Sequence, residues 1–145
     1  MRALIAPSQL RRAAAAAAIA LAGLATASCG TPSPDLFVVQ RGGTVPGAKL
    51  SLLVSDQTTR CNDGPVRELT SEQILEARDI LRELLLVQTA KKPIPQAPPA
   101  QIFEFAVQTE EGTLRYPDTQ QRPVVLPRLV RFVRRVAIDT CGLRR

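Results

Sequence analysis

Three cysteines, Cys29, Cys61 and Cys141, carry the most distinctive chemistry in this chain of 145 residues, and there is no histidine to work beside them. Without histidine a Ser-His-Asp triad, a Cys-His dyad and an imidazole zinc site are all excluded within the chain. Cys61 and Cys141 are far apart in sequence and have nothing of the Cys-x-x-Cys arrangement that tunes a redox pair. Carboxylates stand at Asp56 and at Glu110-Glu111, and both places read as exposed turns, where turn chemistry accounts for them better than an acid-base pair. The stretch Gly42 to Lys49 resembles a phosphate-binding loop in outline. Its lysine falls one residue late, however, and a strand follows where that motif needs a helix N-terminus. Asn62-Asp63-Gly64 lacks the alternating oxygens of a calcium loop. No cofactor, no metal site and no catalytic constellation is therefore expected, and the reading is of a protein that is not an enzyme.

The strongest signal precedes all of these. Arg2, Arg11 and Arg12 form a positive region, and Ala13 to Leu24 is an uncharged apolar run of 12 residues. Such a run is shorter than the ~20 residues needed to cross a bilayer and suits the core of a signal peptide. Ala25-Thr26-Ala27 fits ordinary signal-peptidase cleavage. Thr26-Ala27-Ser28-Cys29 resembles the lipobox of bacterial lipoproteins, with threonine where leucine is usual. The resemblance covers only this segment. It implies that Cys29 becomes the first mature residue and carries lipid, palmitate included, on its sulfur and its amino group. Residues 1–28 then form the signal peptide and residues 29–35 the lipidated cysteine with a short polar tether. Six extended residues reach at most ~20 Å, so the domain behind them is held near the membrane. Lipidation of Cys29 also resolves an odd cysteine count in an exported protein. It leaves Cys61 and Cys141 as an even pair, and an extracytoplasmic compartment permits one disulfide between them. Closing a loop of about 80 residues stabilises by roughly 4 kcal/mol in the chain-entropy account. Two buried free thiols are the alternative.

The net charge of the whole chain is +6. It falls to about +3 when the three N-terminal arginines leave with the signal peptide, which weakens any inference toward nucleic acid. The remaining positive charge is concentrated near the C-terminus, where Arg128, Arg131, Arg134 and Arg135 share one helical element. That face suits an anionic lipid or wall polymer, at ~1 kcal/mol per basic residue near such a surface. A solvated helix face, with cations placed favourably near the helix C-terminus, is the preferred reading. The first helix is acidic, so the two helices are also expected to attract each other.

The elements that must position these groups follow from periodicity. Leu36–Arg41, Lys49–Ser55, Thr58–Cys61, Gln101–Thr109 and Thr113–Tyr116 alternate or are rich in β-formers and read as strands. Thr70 with Gln73 forms a capping box, Leu69 and Ile74 occupy the staple positions, and a helix is expected over about 71–87. Its apolar stripe is Ile74, Ala77, Leu81, Leu84 and Leu85. A second helix starts near Pro127, carries Leu129, Phe132, Val133, Val136 and Ala137 inward, and ends at Cys141-Gly142. Between the helices, residues 91–100 contain four prolines and form an extended connector within one domain, not a boundary.

The expected fold is α+β: about five antiparallel strands in the order βββαββα, with two amphipathic helices on one face, over residues 36–145. Segments 55–63 and 110–118 can be laid on each other with a shift of 55 residues, which raises the idea of a duplication. The function expected is that of a lipid-anchored cell-envelope protein on the extracytoplasmic face, a binding or interaction module. Its partners would be the membrane through Cys29, an anionic lipid or wall polymer, or a protein, with no nucleic acid. The alternative is a secreted or tethered protease inhibitor, since the expected outline resembles the subtilisin-inhibitor family at the level of fold.

Overall fold

A computed structural model describes residues 35–90, 93–100 and 102–143, all within the unit Ser33–Arg145. The segment expected to be a signal peptide and Cys29 with the expected tether as far as Pro34 lie outside the described residues, as do Lys91, Lys92, Gln101, Arg144 and Arg145. The chain is α+β, with a six-stranded antiparallel sheet and two helices. The strands are β1 (Asp35–Gly43), β2 (Leu50–Ser55), β3 (Thr58–Cys61), β4 (Val66–Glu68), β5 (Phe103–Thr109) and β6 (Gly112–Pro117), in the spatial order β4-β3-β2-β1-β5-β6. Helix α1 spans Ser71–Thr89 and α2 spans Val125–Arg135, extended by a π-helical turn, Val136–Thr140.

Strand β4 is the sixth strand and changes the order to ββββαββα. It pairs with β3 through Thr58–Glu68 and Arg60–Val66. All three of its residues are exposed, so it has no inward-outward alternation to betray it. The long β1 continues through Gly42 and Gly43 to meet Glu104 and Phe103 of β5. At Gly43 the lack of a side chain is required, because a Cβ there would collide with the carbonyl of Ile102.

Alternation places one side chain in two on the helix side. Phe37 and Val39 of β1, Leu50, Leu52 and Val54 of β2, and Phe105 and Val107 of β5 are all buried. Helix α2 lays Leu129, Phe132, Val133, Val136 and Ala137 on them, as its periodicity requires. Phe132 meets Phe37 edge to face with ring centroids 6.1 Å apart. This is a favourable aromatic geometry. In α1 the buried residues are Ala77, Ile80 and Leu84, while Leu81 and Leu85 are only half-buried. The buried face is thus turned from the stripe expected. Leucines surround so much of this helix that hydrophobicity alone does not set its rotation.

The start of α1 matches its capping box. Thr70 Oγ1 accepts from the Gln73 backbone N–H at 3.2 Å, and Gln73 Oε1 accepts from the Thr70 N–H at 2.9 Å. Leu69 and Ile74 both join the core. Leu69 N–H also donates to the Gln57 carbonyl at 2.9 Å, which pins the helix start to the β2–β3 turn. At the other end Gln88 donates to the Gly112 carbonyl at 3.1 Å and accepts from Thr109 Oγ1 at 2.6 Å. Helix α1 therefore crosses the sheet end that carries both hairpin tips.

The two hairpin-helix units have opposite hands. Strands β2 and β5 both run antiparallel to β1 and so parallel to each other. From β2 the chain turns to β3 on one side, and from β5 it turns to β6 on the other. Both following helices pack into one core on the same face. Mirror-related units do not superpose, so the 55-residue similarity reflects shared strand-turn-strand patterning and not a repeated fold.

Cys61 and Cys141 form a disulfide with their Cα atoms 6.2 Å apart. Cys61 is the last residue of β3, and Cys141 follows the π-helical turn. The bridge joins positions 80 residues apart. Removing it by C61A/C141A is expected to lower unfolding free energy by about 4 kcal/mol, read by urea denaturation. A non-reduced peptide map should contain the Cys61–Cys141 pair, and two freely alkylated thiols in the native chain would remove the clamp from the account. Tyr116, the single tyrosine, is buried and stacks on Phe105 with ring centroids 5.6 Å apart. Burial pushes its phenol well above its ordinary value. An unfolded tyrosine ionises near ~10, so this contribution to stability is intact below that pH and is lost as pH rises further. Phenolate absorbance is expected to appear together with unfolding, and Tyr116→Phe should remove that alkaline loss.

Candidate functional site

The helices cover one face of the sheet and leave the other open. The open face is built of two cross-strand rows. One runs Val66, Arg60, Leu53, Val38, Gln108 and Thr113 across all six strands. The next runs Ser51, Gln40, Ala106 and Arg115. Val38, Leu53, Ser51 and Ala106 are half-buried, whereas Gln40, Arg60, Glu104, Gln108 and Arg115 stand in water. A shallow depression of about 620 Å³ lies over the second row, bordered by Lys49, Asn62 and Glu104. Its floor is low because Gly42, Ser51 and Ala106 are small.

The walls offer amide, hydroxyl, ammonium, guanidinium and carboxylate groups. They can form many hydrogen bonds to a polar ligand. Asn62 is committed to the fold: its Oδ1 accepts from the Ser51 N–H at 2.9 Å, and its backbone adopts a φ of 52°. Asparagine tolerates that left-handed conformation through its short polar side chain. At the edge of the depression Arg41 lies over the Phe103 ring at 4.7 Å and donates through Nε to the Ala48 carbonyl at 2.8 Å. Partial burial pushes its guanidinium below its ordinary value. Arg41 therefore holds the β1–β2 loop, including Gly47 and Lys49, in a hairpin connection and not in a phosphate-binding turn. The open face shows no periodicity error and no motif, so nothing in the sequence marked it beyond the polar partners in alternating strands.

The four arginines of the second helix divide into two kinds. Arg128 faces α1 and lies among three carboxylates: Glu83 at 2.8 Å, Asp79 at 3.8 Å and Glu76 at 3.9 Å. Arg135 pairs with Glu76 as well. The acidic flank of α1 thus neutralises two of the four. Arg131 and Arg134 are exposed, and no ion pair engages Arg131 among the described residues. Asp56 is likewise occupied, by Arg78 at 2.7 Å. It is fixed to α1 and does not pair with Glu110-Glu111 as an acid and base. Among the described residues no group of three or more cysteines and carboxylates is arranged to hold a metal ion. No helix among them is long and apolar enough to cross a membrane.

Arg128 has only 28% of its side chain exposed, so its removal leaves three carboxylates close together without their shared cation. Arg128→Ala is expected to destabilise by about 1–2 kcal/mol, between an exposed pair and a buried network. Arg131→Ala should change stability by less than about 0.5 kcal/mol. Urea denaturation at low and high salt checks both, and the loss at Arg128 should shrink with salt. No family model, no curated protein and no solved structure matches the chain.

Proposed function

We propose that this chain is a lipid-anchored, extracytoplasmic interaction module that presents the open face of its sheet to a partner. The observation that carries the reading is the cysteine arrangement. Cys61 and Cys141 are bonded to each other, which leaves Cys29 as the third cysteine of the sequence, and it stands behind Ala27-Ser28 in the lipobox-like segment. A disulfide of this kind belongs in an oxidising compartment, which agrees with export. The open face supports the second half of the reading. A six-stranded sheet covered on one side only, with a polar depression and flanking half-buried apolar positions, offers area for binding without a nucleophile-base pair. The exposed Arg131 and Arg134 remain candidates for contact with an anionic polymer, with less charge than the helix sequence implies.

Replacing Cys29 with Ala in the full chain is expected to move the protein from the membrane fraction to the soluble fraction, or to block its processing. Mass spectrometry of the wild-type N-terminus should find lipid on Cys29. An unmodified N-terminus, or membrane retention equal in both chains, would remove the anchor.

A further inference from the structure

The outer face of α1, turned away from the sheet, carries surplus leucines. Leu75 and Leu86 are 64% and 65% exposed, although the core is already filled by Ala77, Ile80 and Leu84 of the same helix. Beside Leu75 lies a shallow groove of about 320 Å³ with an almost wholly aliphatic surface, lined by Arg78, Leu81, Arg82, Leu85, Leu86 and Thr89. Positions 75, 78, 82, 86 and 89 share one helical face, and 81 and 85 adjoin it. The two arginines have their charge held locally, Arg78 by Asp56 and Arg82 by Asp79. Their aliphatic stems extend the apolar surface and their heads can stay in water. Exposed leucines with snorkelling arginines among them are the composition of a helix that lies in a membrane interface.

The place of this flank in the fold says what covers it. Helix α1 crosses the sheet end that carries the β2–β3 and β5–β6 turns, through the Leu69–Gln57 and Gln88–Gly112 hydrogen bonds. Strand β1 begins at that same end. Asp35 pairs with Ser55, and Ser55 Oγ donates to Asp35 Oδ1 at 2.7 Å. Ser55 is followed by Asp56, whose carboxylate holds Arg78 on the exposed flank. The chain therefore enters the domain beside the leucine flank. Cys29 precedes Asp35 by six residues, and that length reaches at most ~20 Å.

We infer that the Leu75–Leu81–Leu85–Leu86 flank of α1 rests on the phospholipid bilayer that holds the Cys29 lipid, with Arg78 and Arg82 at headgroup level. This inference rests on the lipid anchor proposed above. The anchor supplies proximity, so a contact too weak to recruit a free domain is enough to orient a tethered one. Glu110 and Glu111 at the neighbouring turn keep their charges in water and confine the contact to the helix flank. The acidic row of α1 that adjoins this face is closed by its ion pairs with Arg128 and Arg135. The open sheet face is then free to meet a partner while the domain lies on the membrane.

The test uses the full chain in the membranes of the cell that produces it. A diazirine-bearing leucine analogue is placed at position 75, at position 86 or, as a control, at position 131, and irradiated in place. Phospholipid adducts are expected at 75 and 86, with yields about tenfold above those at 131. With the analogue at 86, Leu75→Glu should cut the adduct several-fold and Arg131→Glu should not. Lipid adducts no higher at 75 and 86 than at 131, in a chain with lipidated Cys29 and full membrane retention, would overturn the inference and leave the anchor standing. Adducts to another protein, or to a second copy of this chain, would also overturn it. A soluble wild-type chain with unmodified Cys29 would overturn the anchor and this contact together.

Discussion

The bond between Cys61 and Cys141 sets the path of the last third of the chain. Strand β6 is one edge of the sheet, and Cys61 sits on β3, near the other edge. Helix α2 leaves from β6 and must return across four strand spacings to reach its partner, roughly 19 Å at ~4.8 Å each. Residues Val125–Thr140 supply helical rise of about 24 Å. The helix is thus just long enough to cross the core and deliver Cys141 at its far side. Its π-helical end, Val136–Thr140, buries Val136 and Ala137 and leaves Cys141 positioned over β3. Crossing the sheet is also what lays Phe132 on Phe37 of the central strand.

That path forces α1 and α2 together and fixes their electrostatics. The two helices share one face of one sheet, and the second is basic where the first is acidic. Glu76, Asp79 and Glu83 turn toward α2, and Arg128 and Arg135 answer them. Half of the arginine charge that makes the C-terminal helix stand out in the sequence is therefore used inside the fold. The same rotation of α1 leaves Leu75 and Leu86 on its outer face, away from the sheet. A helix with acids toward one neighbour, Ile80 and Leu84 toward the sheet, and Leu75 and Leu86 toward neither has three distinct faces. Only two of them are needed for folding.

The legible parts of the fold were those written in local patterns. The Thr70–Gln73 capping box, the period-two burial of β2 and β5 and the helical stripe of α2 each depend on residues a few positions apart. The cysteine pairing was legible for another reason, since chemistry left few alternatives. Strand β4 was not legible, because Val66, Arg67 and Glu68 are all exposed and pair only through backbone groups. The rotation of α1 was not legible either. Its leucines are spread too widely for periodicity to choose among faces, and the choice falls to the ion pairs with α2. The order of strands, with β1 at the centre, comes from pairings 70 residues apart in register such as Val38 with Gln108. No local pattern encodes those.

The candidate surfaces were hidden by the same logic. The open sheet face reads in sequence as the polar half of ordinary alternation, and it becomes a surface only when both helices fall on the other side. The opposite hands of the two hairpin-helix units are what put them there. If β6 had followed β5 on the same side as β3 follows β2, its edge of the sheet would lie elsewhere, and α2 would no longer need to run back over the core. With the hands opposed, the hairpins spread to either side of β1, one covered face serves both helices, and the uncovered face spans all six strands. Topology, more than any single residue, therefore gives the chain a broad exposed surface and an α1 flank free beside the point where the chain enters the domain.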